Sequence, residues 1–242
     1  MGRIIGIVAL GLGLAACGGL TGFVDDIVGS GTPTSEQRDV GSFDAVRLEG
    51  VGDVEISIGD ERSLTIETDD NLVDRVETSV RAGTLVIGIE DGITIAPRSG
   101  LTITVTTPDL TLVEITGAGT VSVGPIATDS LAVDVLGAGS VRVDDLAADT
   151  LTVTLGGAGN IEVSGDVDRE VVDLSGVGNY DGGDLRALDV QVTADGAGNV
   201  EVWAVETLDV SASGVGSVSY WGDPATLISA TGVGSVEPLG DR

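Results

Sequence analysis

Hydrophobic and polar residues alternate along most of this chain, in short runs interrupted by glycine. Such period-two alternation predicts extended strands that bury one face, because successive side chains of a strand point to opposite sides. Apolar residues occupy every second position of segment 131–135 and again of segment 151–155. Similar alternating segments lie earlier, at 46–48, 54–58, 64–67, 85–89 and 101–105. The pattern predicts an all-β chain, with one short helix or turn at 70–74.

A glycine-rich tetrad of the form Gly-small-Gly-polar recurs along the second half of the chain. Its seven copies begin at Gly117, Gly137, Gly157, Gly176, Gly196, Gly214 and Gly232, at spacings of 20, 20, 19, 20, 18 and 18 residues. An earlier tetrad at Gly50 indicates that the first half shares the design. An apolar or aromatic residue follows each first glycine by four positions, so every unit is predicted to be two short strands joined by a glycine corner.

Units of this length must stack, because a single unit of about 20 residues has no core of its own. We therefore predict a right-handed parallel β-helix with 18–20 residues per repeat; an antiparallel β-sandwich is the alternative. Asn160, Asn179 and Asn199 occupy the same repeat position and are predicted to form a side-chain ladder. Two residues before the glycine, the side chain shrinks from Ile115 to Ala230, which predicts a core that narrows toward the carboxyl end.

The first 17 residues have the layout of a bacterial export signal. Arg3 is followed by an apolar run at 4–16, which is too short to span a bilayer, and the run ends at Cys17, the only cysteine. This junction resembles a lipobox, which implies acylation, including palmitate, on Cys17. The predicted organisation is a signal peptide at 1–16, a lipidated Cys17 with a flexible tether at 17–39, a folded domain at 40–236 and a tail at 237–242.

Charge and residue usage restrict the chemistry. The formal net charge is −28, all 11 basic residues are arginine, and histidine and lysine are absent. Nucleic acid is therefore a poor partner, since phosphate binding needs a basic surface. Serine and cysteine nucleophiles activated by histidine, histidine metal sites and lysine Schiff bases are excluded. Carboxylate, arginine, tyrosine, serine and threonine chemistry remains.

Several motifs of the first half, followed by the glycine repeats, resemble a known family. They are Phe43-Asp44-Ala45-Val46, Gly50-Val51-Gly52-Asp53-Val54-Glu55-Ile56, Asn71-Leu72-Val73 and Gly83-Thr84-Leu85-Val86-Ile87. Together they look like the putative auto-transporter adhesin head GIN domain, over about residues 40–236. The resemblance implies a β-helical domain of the bacterial cell envelope, often behind a lipoprotein signal, and carries no catalytic residues.

Two surface features are candidate binding sites. Trp203 and Trp221 both follow their glycines by seven residues, and with Tyr220 they could hold a sugar ring. Glu162, Asp181 and Glu201 follow their glycines by five residues, so they would line up as a carboxylate column that could bind a divalent cation such as Ca²⁺. The simpler interpretations are an aromatic stack that shields the narrow end and a row of solvated acids, in which Arg142 pairs with Glu162.

Three functions follow from these features. We expect first a lipid-anchored envelope protein with an adhesin-like structural or interaction domain, no catalysis and no cofactor, located in the outer membrane if the host is Gram-negative. Its partners would be the membrane, through the anchor, and envelope proteins or glycans. The alternative is a carbohydrate- or cation-binding surface module. The third is a polysaccharide-active enzyme; against it, the adjacent acids Asp69-Asp70 and Asp144-Asp145 would point to opposite faces of a strand.

Overall fold

The computed structural model describes residues 25–242. The predictions for the signal peptide at 1–16, for Cys17 and for the first residues of the tether fall outside this range. Within it the chain forms a β-solenoid of about six turns, as the repeat predicts. No helix among residues 25–242 is long and apolar enough to cross a membrane.

The first half contains nine strands and one turn of 3-10 helix, which confirms the short helix or turn predicted at 70–74. These elements are β1 Asp25–Val28, β2 Pro33–Arg38, β3 Ala45–Leu48, β4 Val51–Ile58, β5 Ser63–Asp69, the 3-10 helix Val73–Arg75, β6 Val76–Arg81, β7 Thr84–Ile89, β8 Ile93–Ala96 and β9 Thr102–Thr107.

The second half contains ten strands, several of which run through more than one face of a coil. They are β10 Leu112–Ile115, β11 Ala118–Val123, β12 Ile126–Val135, β13 Ala138–Leu155, β14 Ala158–Leu174, β15 Val177–Ala194, β16 Ala197–Ala212, β17 Val218–Trp221, β18 Ala225–Ala230 and β19 Val236–Gly240.

Successive coils pair in parallel, with equivalent repeat positions in register. Val141 of β13 lies beside Ile161 of β14, which lies beside Tyr180 of β15 and then Val200 of β16. The four side chains are almost completely buried, so each coil adds one layer to a continuous core. This topology rules out the antiparallel sandwich.

The first half joins the same stack, as the tetrad at Gly50 indicates. Strand β4 pairs in parallel with β11, so that Gly52 lies beside Gly119, and β3 pairs in parallel with β10. Antiparallel pairing is confined, among residues 25–242, to the contacts of β2 with β5, β5 with β9 and β6 with β7. All three pairings lie in the amino-terminal half of the chain, between residues 33 and 106.

Two segments that were predicted to lie outside the folded domain contain strands. Residues 25–38, assigned to the flexible tether at 17–39, form β1, which pairs with β8, and β2, which pairs with β5. The tail predicted at 237–242 is largely β19, which pairs with β17. Both segments lack the buried apolar alternation that marks a core strand, and backbone hydrogen bonds to one neighbouring strand hold them in place.

A buried aspartate fixes the amino-terminal segment to the rest of the domain. Asp69 at the end of β5 accepts hydrogen bonds from the amides of Gly31, Arg98 and Ser99 at 2.8, 2.6 and 3.2 Å, and from the Ser99 hydroxyl at 2.8 Å. Burial opposes its charge, but these donors together outweigh that penalty and lower the pKa of Asp69. Asp69 therefore has a structural role, while its neighbour Asp70 is exposed.

The glycine corners allow close contact between coils. A β-carbon added at Gly159 would lie 1.6 Å from the carbonyl oxygen of Gly139 on the preceding coil, so no larger residue fits without moving the backbone. The polar position of the tetrad forms the predicted ladder: Asn179 donates to Asn160 at 3.0 Å and accepts from the side chain of Asn199 at 3.1 Å. The tetrads are structural corners.

Toward the carboxyl end, smaller side chains occupy the core position two residues before the glycine. Leu155 and Leu174 are fully buried, whereas the equivalent Ala194 and Ala212 are only partly buried and pack against the edge of the core. The smaller side chains leave a cavity of about 20 Å³ that is lined mainly by glycine, alanine and valine, with Leu174, Ser217 and Ser235.

Candidate functional site

The two tryptophans lie side by side on the outer surface. Trp203 lies in the middle of β16, and Trp221 is the last residue of β17 on the next coil. The two residues are paired in register. Both side chains are partly exposed, on the side of the strand opposite to the buried Val202. The shared spacing of seven residues from the glycine therefore places both indoles on one surface.

Tyr220 does not belong to that surface. It is the register partner of the buried Val202 and packs against the hydrophobic core. Because side chains alternate along a strand, Tyr220 and Trp221 point to opposite faces. The predicted patch of three aromatic residues is thus a pair of tryptophans.

Arg242, a residue that the sequence analysis did not single out, covers the tryptophan pair. Its guanidinium carbon lies 5.8 Å from the ring centroid of Trp203 and 5.3 Å from that of Trp221. The same guanidinium donates hydrogen bonds to the carbonyl oxygen of Gly183 and to the carboxylate of Asp184. Four groups contact this guanidinium, and we call them the Trp notch: the indoles of Trp203 and Trp221, the Gly183 carbonyl and the Asp184 carboxylate.

The acidic side of the Trp notch comes from an irregularity in the stack. The register between β15 and β16 shifts between Gly182 and Arg186, so residues 183–185 form a β-bulge without partners on β16. The bulge brings Gly183 and Asp184 next to a surface formed by later coils. The only sequence signal for it is the pair Gly182-Gly183 in the middle of a repeat.

Glu201 supports the Trp notch from beside it. Its carboxylate accepts a hydrogen bond from the indole Nε1 of Trp221 at 2.8 Å, which fixes the orientation of that ring. A β-carbon at Gly183 would lie 2.5 Å from the same carboxylate, so Glu201 lies directly against the bulge.

The predicted carboxylate column exists, but each member has its own partner. Glu162, Asp181 and Glu201 are adjacent in register. Glu162 pairs with Arg142 at 2.5 Å, as predicted, and Asp181 accepts from the amide of Gly183 at 3.2 Å. Across residues 25–242, no three acidic side chains gather in an arrangement that would hold a metal ion.

A polar pair, Glu170 and Tyr180, lies inside the solenoid and was not among the predicted sites. Glu170 occupies the core position that is leucine in Leu151 and valine in Val190, and it is fully buried. Burial raises the pKa of Glu170 to about 8. Burial, and then the charge of Glu170, raises the pKa of Tyr180. Comparing repeat positions would have exposed this acid in an apolar column.

Gly182 makes room for the tyrosine. A β-carbon at Gly182 would lie 2.7 Å from the Tyr180 hydroxyl oxygen, and the equivalent residues on neighbouring coils are Val163 and Val202. Within the described residues, the two carboxylate oxygens of Glu170 and the hydroxyl of Tyr180 make no hydrogen bond. The pair is sealed from solvent, which makes it a feature of the core rather than of a binding surface.

Known proteins share this fold. The family model described as "Putative auto-transporter adhesin, head GIN domain" matches residues 42–224. A crystal structure of a putative adhesin from Bacteroides fragilis is 28% identical, with a TM-score of 0.84 over 88% of this chain and 100% of that one. A putative lipid binding protein from Parabacteroides distasonis is 24% identical, with a TM-score of 0.73 over 89% and 100% of the chains. No curated protein matches the sequence.

Proposed function

We propose that this chain, which belongs to the auto-transporter adhesin head GIN domain family, is a lipid-anchored protein of the bacterial cell envelope whose solenoid binds other surface molecules and catalyses no reaction. The observation that carries the proposal is the match between the whole solenoid and a putative adhesin of Bacteroides fragilis. Adhesin-like proteins act at the cell surface, and a rigid solenoid provides an extended surface for contacts.

The anchor is proposed from the sequence. Cys17 is the only cysteine, and it directly follows the apolar run of the export signal. Each buried CH₂ of an acyl chain contributes about 0.8 kcal/mol, so several chains together would hold the protein on a membrane. In a Gram-negative host, Gly18 after the cysteine favours the outer membrane, because the aspartate associated with inner-membrane retention is missing there.

The charge of the domain favours cationic partner surfaces. Removal of residues 1–16 would delete one arginine and no acid, which changes the formal charge from −28 to −29. A surface of this charge attracts basic proteins and repels anionic lipid and nucleic acid, and the attraction weakens as salt increases. Contacts made by the solenoid should therefore be salt-sensitive.

The anchor is tested by comparing wild type with Cys17→Ser in the native host, using intact mass and membrane fractionation. Acyl mass and membrane association should be present in wild type and absent in the variant. A soluble wild-type protein without acyl mass would refute the anchor.

The interaction role is tested with whole cells. Cells that lack the protein should adhere or aggregate less, and wild-type protein, but not Cys17→Ser, should restore the behaviour. Equal adhesion in all strains, with the protein present at the surface, would count against an adhesin-like role.

A glycan-binding role is the second candidate, because Trp203 and Trp221 lie together on the surface. Arg242 covers both rings, so a sugar would have to displace it. Glycan binding that is lost in Trp203→Ala would support this role over the first.

A further inference from the structure

The Trp notch is organised around a single guanidinium group. Two indole rings lie within 6 Å of the guanidinium carbon of Arg242, a range in which a cation is attracted to the ring face. The Gly183 carbonyl and the Asp184 carboxylate accept its N–H groups. An arginine fork can stack on an aromatic surface and donate in its own plane at the same time, whereas a lysine ammonium cannot do both.

The notch is formed by the body of the solenoid rather than by Arg242. Strand pairing places Trp203 beside Trp221, and the hydrogen bond to Glu201 orients the second ring. The bulge at 183–185 belongs to β15, two coils earlier than β17. Preorganised groups lose little conformational entropy when they bind, so the notch should keep its shape when Arg242 leaves.

The surrounding charge selects for a cation. Asp184 and Asp181 lie on or beside the bulge, and Glu201 lies against it, in a domain whose net charge is strongly negative. An anionic group would be repelled here, and a neutral sugar would leave the Asp184 carboxylate without its cationic partner. An arginine of another protein would satisfy all four groups of the notch.

We infer that the Trp notch is a receptor for an arginine side chain of a partner protein and that Arg242 occupies it in the absence of that partner. The inference goes beyond the proposed function, because it stands on the contacts of Trp203, Trp221 and Asp184 and needs neither the lipid anchor nor adhesion. Arg242 acts as a tethered competitor. A short tether gives an effective concentration of the order of millimolar, so it must be displaced before an external arginine binds.

Intrinsic fluorescence gives a direct assay, because Trp203 and Trp221 are the only tryptophans of the protein. The probe is the peptide acetyl-Gly-Arg-Gly-amide, titrated at low salt into full-length wild type and Arg242→Ala, with the lysine peptide as the comparison. Arg242→Ala should bind the arginine peptide at least tenfold more tightly than wild type and at least fivefold more tightly than it binds the lysine peptide.

Charge variants separate the notch from general attraction to an acidic protein. In the Arg242→Ala background, Asp184→Asn should weaken binding about three- to fivefold, the range of a largely exposed ion pair. Asp209→Asn, which removes an equal charge from an exposed site on β16, should change it less than twofold. Circular dichroism and the thermal midpoint of each variant establish that the solenoid is folded.

Three results would overturn the inference. They are no saturable change with the arginine peptide in folded Arg242→Ala, equal affinity for the arginine and lysine peptides, and equal effects of Asp184→Asn and Asp209→Asn. A neutral oligosaccharide that saturates the fluorescence change while the arginine peptide does not would also overturn it, in favour of the glycan role.

Discussion

Replacing the buried Glu170 with glutamine should remove a strong pH dependence from the stability of the solenoid. The carboxyl group lies in a column of leucine and valine, fully buried and next to Tyr180. Glutamine has nearly the same shape as the protonated acid but cannot ionise. The substitution therefore separates the cost of a buried charge from the packing of the side chain.

The magnitude follows from the two pKa values of Glu170. The ordinary pKa is 4.5, and burial raises it to about 8 in the fold. Between these values the folded state holds one proton more than the unfolded state, so stability falls as pH rises, by about 1.4 kcal/mol per pH unit. Below pH 4.5 Glu170 is protonated in both the folded and the unfolded state, so its ionisation does not reduce the free energy of unfolding. About 3 kcal/mol is lost by pH 7 and about 5 kcal/mol above pH 8.

Urea unfolding of wild type and Glu170→Gln at pH 5, 7 and 9 measures this difference. The two proteins should be similar at pH 5, and the variant should be more stable by about 3 kcal/mol at pH 7 and about 5 kcal/mol at pH 9. All other carboxylates are common to both proteins, so their titration cancels. A constant stability difference from pH 5 to 9 would refute the reasoning, because Glu170 would then have the same pKa in both states.

Three other substitutions test the stack and its amino-terminal attachment. Gly159→Ala should lower the free energy of unfolding, measured with urea, by about 3 kcal/mol or more, because its β-carbon would collide with the preceding coil. Gly88→Ala is the control: its β-carbon would have no neighbour within 4 Å, so the loss should be less than about 1 kcal/mol. Asn179→Ala removes the centre of the amide ladder and should cost about 1 kcal/mol in the same assay; no loss would mean that the ladder adds nothing to stability. Asp69→Asn should lower the thermal midpoint at pH 7, and the difference from wild type should shrink as pH falls below the ordinary range of an aspartate toward the lowered pKa of Asp69; a difference that grows on acidification would contradict this.

The solenoid could be predicted because its information is local and repeated. Each copy places an apolar side chain four residues after the glycine, and equivalent positions such as Val141 and Ile161 meet when the coils stack. The same logic placed Trp203 beside Trp221 and Arg142 beside Glu162. Strict alternation would also have assigned Tyr220 to the core.

The edge strands could not be found in this way. Strand β2 has the alternating exposure of a strand at a sheet edge but buries no apolar side chain. Its polar sequence, Pro33 to Arg38, has the composition of a tether, and only pairing with β5 makes it a strand. Backbone hydrogen bonds of this kind leave no pattern in the side chains.

The sequence by itself determined the all-β class, the stacking register, the glycine corners and the pairing of the two tryptophans, because each depends on a spacing that every repeat restates. Only the tertiary structure decided that Arg242 contacts Trp203 and Trp221 and that a bulge brings Asp184 to the Arg242 guanidinium. It also decided that Glu170 is sealed beside Tyr180, with its pKa raised. These contacts join residues at irregular separations, where a register shift or an unusual side chain interrupts the repeat, so the repeat pattern could not predict them.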